Sequence, residues 1–153
     1  MKKLLPLLTV AIVSCTAVKS EGPRINAAAY LTPTETEVIN SITFEVQKVL
    51  DTVDEFRRSG ALDYVVGLEV PGWSVRKEEE TVFLLKRKKF VAEKTFDLPE
   101  TCVKEVGAAK LNVCHLKLEQ NLKRLGEAFG CAVEAVELRF PDLAEKVKVS
   151  CPY

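Results

Sequence analysis

One histidine, one tryptophan and no Asn-x-Ser/Thr sequon occur in 153 residues. No Ser/His/Asp set, phosphate-binding loop or zinc-ligand spacing is present, so no catalytic constellation is complete enough to argue an enzyme from. His115 has no second histidine with which to hold a metal and no free thiol to activate, so it is read as structural. No cofactor is expected. Internal repeats and low-complexity segments are also lacking. The apolar run Leu4–Val13, broken by Pro6 and Thr9, is too short to span a bilayer.

What the first residues do have is a basic start, Lys2 and Lys3, ahead of that run, with small residues at Ala17 and Ser20. This pattern predicts a secretory signal over residues 1–20, cleaved after Ser20. A second reading stays open: Ile12-Val13-Ser14-Cys15 is similar to a bacterial lipoprotein signal, in which Cys15 would carry the lipid. The whole chain balances 22 basic against 22 acidic side chains, and loss of Lys2, Lys3 and Lys19 would leave a net charge near minus three. That argues against nucleic acid as a main partner.

Cleavage would also leave an even set of four cysteines, Cys102, Cys114, Cys131 and Cys151, in an exported chain of single-domain size. This predicts a disulfide framework, in which four cysteines permit three pairings. Glu21–Leu31 has Gly22, Pro23 and Asn26 without a sustained period and reads as an N-terminal arm. Structure is expected from Thr32 to Tyr153. Thr32-Pro33-Thr34-Glu35 is a capping-box signature, and Val38, Ile42, Val46, Val49, Val53 and Phe56 then recur at helical spacing. Arg57 and Arg58 suit the negative end of the helix dipole, and Gly60 is a natural stop. The result is one helix from Thr32 to about Ser59, roughly 40 Å long at ~1.5 Å per residue.

Beyond the helix the period changes. Leu62–Val70 alternates as a half-buried strand and is broken by Pro71-Gly72. Glu78-Glu79-Glu80 reads as a solvated hairpin. Thr81–Phe96 reads as one long bent strand, or as two short ones meeting near Lys88. Cys114–Glu119, Cys131–Leu138 and Val147–Cys151 read as further strands, and Leu122, Leu125 and Phe129 allow a turn or two of helix after Leu118.

One long N-terminal helix, about four antiparallel strands and two cysteine pairs in the C-terminal half resemble the cystatin superfamily, including the cathelin-like propieces of cathelicidins. The rival is an unrelated, more helical exported domain. The resemblance implies an α+β fold with the helix in the concave face of a curved sheet, and pairings Cys102–Cys114 and Cys131–Cys151. It also implies binding without catalysis, by a secreted extracellular or host-defence protein. Its alternative is inhibition of papain-type cysteine proteases, in which family members wedge an arm glycine, a Gln-x-Val-x-Gly hairpin and a Pro-Trp hairpin into the enzyme cleft.

Three stretches correspond to that wedge. Gly22 lies in the arm. Pro71, Gly72 and Trp73 form the expected first hairpin, with Trp73 either an exposed anchor or folded back onto the sheet edge. Phe140 and Pro141 fall at the second, where the family's tryptophan is missing and Asp142 follows. Asp63–Gly67 matches Gln-x-Val-x-Gly apart from its first residue, but one strand too early. Inhibition is therefore expected to be weak or absent. Lys86, Arg87, Lys88 and Lys89, between Phe83 and Phe90, offer a polyanionic surface as a second partner class, although strand alternation divides them between two faces. Cys151 is followed by Pro152-Tyr153, so a cationic peptide of the kind cathelicidins carry after the last cysteine is not expected, and any defence role is expected of the domain itself.

Overall fold

The computed structural model describes residues 25–59 and 70–152. After a short 3-10 turn at Ala27–Tyr30, helix α1 runs Pro33–Ser59. Its start is the expected capping box: Thr32 N–H donates to Glu35 Oε1 at 3.0 Å, and Glu35 N–H donates to Thr32 Oγ1 at 3.3 Å. Ile39, Ile42, Val46, Val49, Leu50 and Val53 form its buried stripe. Gly60 and the strand expected over Leu62–Val70 lie outside the described residues, except that Val70 itself is not in a strand.

The strands are β1 (Ser74–Val82), β2 (Leu85–Asp97), β3 (Val103–Val106), β4 (Ala109–Asn112), β5 (Ala132–Leu138) and β6 (Ala144–Pro152). Among the described residues β1, β2, β6 and β5 form an antiparallel four-stranded sheet in that spatial order, and β3 and β4 form a separate ribbon. One face of the sheet supplies Phe90, Ala92, Phe96, Val147 and Val149 to a core shared with α1. The fold is therefore α+β, a long helix packed on an antiparallel sheet.

A second helix, α2 (Val113–Phe129), occupies the stretch where a strand was expected at Cys114–Glu119. Alternation over six residues is compatible with either period, whereas Cys114, Leu118, Leu122 and Gly126 hold a four-residue spacing and are all buried. Asn112 caps this helix by accepting from His115 N–H at 3.0 Å, and Gly130 ends it at φ +68°. Leu118 and Leu122 enter the same core as α1, so both helices cover one face of the sheet.

Two further expectations are corrected. Glu78–Glu80 lie within β1, and Thr81 and Val82 finish that strand. The chain reverses at Phe83-Leu84, from which β2 runs unbroken through Lys88 to Asp97. The reversal was hidden because neither turn residue is a usual turn former.

The cysteines pair Cys102–Cys114 and Cys131–Cys151, as the resemblance implies. Loops of this size stabilise by roughly 3 kcal/mol each in the chain-entropy account. The first clasps the base of the β3–β4 ribbon, and the second joins the exit of α2 to the end of β6. Arg57 locks the same end: its Nη2 donates to the carbonyl of Phe129 at 2.6 Å.

Candidate functional site

Register brings two of the three wedge stretches to one end of the sheet. Ser74 pairs with Glu93, Asp97 with Ala144, and Ala144 with Leu138, so the start of β1, the end of β2 and the β5–β6 loop share that end. Gly22 and the Asp63–Gly67 match lie outside the described residues.

Pro71 and Gly72 make a tight turn closed by Trp73 N–H donating to the Val70 carbonyl at 2.9 Å. Proline at its second position and glycine at φ +84° at its third are the type II requirement. The turn delivers Trp73 inward, where only 9% of it is exposed. Its ring meets Phe96 edge to face at 5.9 Å, and its Nε1–H donates to Glu45 Oε1 at 3.3 Å. Lys94 completes the surround, donating from Nζ to the same carboxylate at 2.7 Å and lying 4.9 Å from the Phe96 centroid. Trp73 therefore takes the second of its two orientations, folded back onto the sheet. The indole binds helix α1 to the sheet, and Pro71 and Gly72 remain exposed.

The β5–β6 loop does the opposite. Phe140 is 91% exposed, its peptide bond to Pro141 is cis, and Pro141 and Asp142 are exposed as well. Beneath it Leu143 is buried, and its carbonyl accepts from Leu98 N–H at 3.0 Å. A shallow groove of about 370 Å³ between the first turns of α1 and the end of β2 opens at this end of the sheet, lined by Thr34, Glu37, Val38, Ser41 and Phe96.

The basic run lies at the opposite end. Antiparallel register sets Lys89 against Glu78, Lys88 against Glu79 and Arg87 against Glu80, so three of its four cations face carboxylates across the ladder. Lys86 faces Thr81. The division between two faces follows from the same register: Lys86 and Lys88 share the face of Phe90, and Arg87 and Lys89 take the other.

Two buried carboxylates complete the electrostatic picture. Glu35 has no exposed surface. Burial pushes its pKa up, but bonds from Thr101, from the Thr32 N–H and from Lys104 at 3.0 Å outweigh this and hold it below the ordinary value. Glu145, also without exposed surface, accepts from His115 Nδ1, and Glu119 lies 3.6 Å from Nε2. The hydrogen bond to Glu145 raises the His115 pKa, against the opposing effect of burial. His115 is thus a structural counter-ion. Among the described residues no cluster of three metal-ligating side chains exists, and no helix is long and apolar enough to cross a membrane.

Sequence reasoning passed over one exposed feature, the apolar β1–β2 turn, because Phe83, Leu84 and Leu85 read as strand interior. It also missed Glu145, since nothing in a lone glutamate at a strand start announces a buried partner for a histidine thirty residues earlier. No protein-family model, no curated protein and no solved structure matches the chain.

Proposed function

We propose that this is an exported, non-enzymatic binding protein of the cystatin-like type, which contacts a protein partner with the sheet end that carries Phe140 and Pro141. The observation behind this reading is the exposure of Phe140 on a loop whose base is fixed by buried Leu143. A large aromatic carried on a loop with a buried base suits an interface anchor, because it offers much contact area for only two side-chain torsions to be ordered on binding. The signal-like start and the two disulfides support an oxidising, extracellular setting.

Inhibition of papain-type proteases is the second reading, favoured by the shared position of Pro71-Gly72 and Phe140-Pro141 at one end. Against it stands Trp73, whose indole is committed to Glu45 and Phe96 and offers no exposed anchor for a cleft. Inhibition of papain by the disulfide-bonded protein is expected to be micromolar or weaker. Nanomolar inhibition that disappears in Phe140→Ala would make the protein an inhibitor instead. N-terminal sequencing of the exported chain is expected to start at Glu21, and a lipid mass on Cys15 would replace secretion with anchoring.

A further inference from the structure

The β1–β2 hairpin continues past the rest of its sheet. Lys89 is the first β2 residue paired with β6, opposite Pro152, and the turn lies five residues beyond it. At about 3.3 Å per residue, a two-stranded ribbon projects roughly 15 Å from the body.

Its tip has an unusual composition. Phe83 is 92% exposed, Leu84 95% and Leu85 69%. Phe83 and Leu84 both have positive φ, +52° and +71°, between the paired residues Val82 and Leu85. A two-residue loop of this kind is best served by Asn-Gly, because both positions are left-handed and a side chain with Cβ is strained there. Phe and Leu satisfy neither the backbone nor the solvent. Strain combined with exposed apolar surface at one site points to a role outside the fold.

Behind the tip the charge is basic. From Glu78 to Lys89, the projecting part of the hairpin, four basic side chains stand against three acidic ones, and all four basic ones follow the tip on β2. Lys86, next to the apolar residues, faces a threonine and not a carboxylate.

We infer that this hairpin is a lipid-inserting finger, which places Phe83, Leu84 and Leu85 at the boundary between headgroups and acyl chains of an anionic phospholipid bilayer while the basic ribbon meets the headgroup phosphates. The narrow tip favours a bilayer over a protein partner. Stable protein interfaces bury about 1,200 Å² or more, and the end of a two-residue turn cannot supply that, whereas a small apolar wedge with a cationic collar suits the membrane interface. The inference is independent of what the Phe140 end binds.

The test uses vesicles of phosphatidylcholine mixed with phosphatidylglycerol, with pure phosphatidylcholine as control. Leu84→Trp, read in a Trp73→Phe background, reports the tip directly, and its emission is expected to shift to the blue only with the anionic vesicles. Phe83→Asn/Leu84→Gly gives the turn the residues its backbone favours, so it is expected to melt at or above the wild-type temperature while binding vesicles at least about tenfold more weakly. Lys86→Ser/Arg87→Ser should weaken binding and its salt dependence together. Three results would overturn the inference: no blue shift on the anionic vesicles, equal vesicle binding by the Asn-Gly variant, or a concentration-dependent dimer that this variant abolishes without any vesicle binding. The last would assign the tip to a second copy of the chain.

Discussion

His115, in the first turn of α2, donates its Nδ1 proton to Glu145 at the start of β6, a carboxylate with no exposed surface. This contact ties α2 to the centre of the sheet. The groups facing the imidazole are Glu145, Glu119 and Glu137, all acidic. Because the folded pKa of His115 lies above its ordinary 6.5, the stabilisation from its charge is complete below about pH 6.5 and fades as pH rises through the folded value. Melting temperature is expected to fall from pH 6 towards pH 9, a slope that His115→Gln flattens. Removing the ring altogether, in His115→Ala, leaves Glu145 buried without its partner and should cost about 3 kcal/mol in urea unfolding.

Glu35 gives the opposite limb. Its pKa is held below the ordinary 4.5, so its contribution is present above that pH and is lost as pH falls through the folded value. Glu35→Gln keeps the size, loses the Lys104 ion pair, and is expected to cost about 2 kcal/mol near neutrality, with a shallower decline in acid. Urea titrations from pH 7 to pH 3 read both effects.

Trp73 serves as its own reporter, being the sole tryptophan. Native emission should be that of a buried indole and shift to the red on unfolding. Trp73→Ala is expected to cost about 3–5 kcal/mol through the cavity it leaves against Phe96 and α1. Trp73→Phe retains most of the packing and loses the bond to Glu45, so about 1 kcal/mol is expected.

Gly126→Ala reverses an ordinary rule. Alanine in place of an interior helical glycine normally stabilises by about 1 kcal/mol. Here a Cβ would stand 2.7 Å from the carbonyl oxygen of Cys131 and 3.2 Å from the Val133 side chain. The backbone oxygen is anchored by the Cys131–Cys151 disulfide and cannot retreat, so a loss of about 2 kcal/mol is expected, with a lower midpoint in denaturant.

The parts of the fold legible in the sequence were those with long, punctuated signals. Helix α1 has a reciprocal cap and six buried apolar residues in register over 27 residues, and its reading needed no tertiary information. Helix α2 was obscured because Leu116 and Leu118 imitate alternation over a short window, and its ends at Asn112 and Gly130 are established only by the structure. The ribbon Val103–Asn112 has four-residue strands, too short for a period to show. At the candidate site, the position reached by counting from Cys131 falls in the loop between β5 and β6. The depth of Trp73 was undecidable, because a lone aromatic after a turn has no periodic neighbours to orient it. The basic run looked stronger than it is, since the glutamates opposite Lys89, Lys88 and Arg87 are revealed only by register.

The exposed loop at Phe140-Pro141-Asp142 lies inside the segment closed by Cys131 and Cys151. A protease that cut there would produce two peptides still joined through sulfur, and the same holds for a cut at the Gly107 turn between Cys102 and Cys114. Such nicks leave no diffusing fragment: the protein would run as two bands only after reduction. A surface loop can thus be offered repeatedly to a degradative environment without its loss dissolving the molecule that presents it.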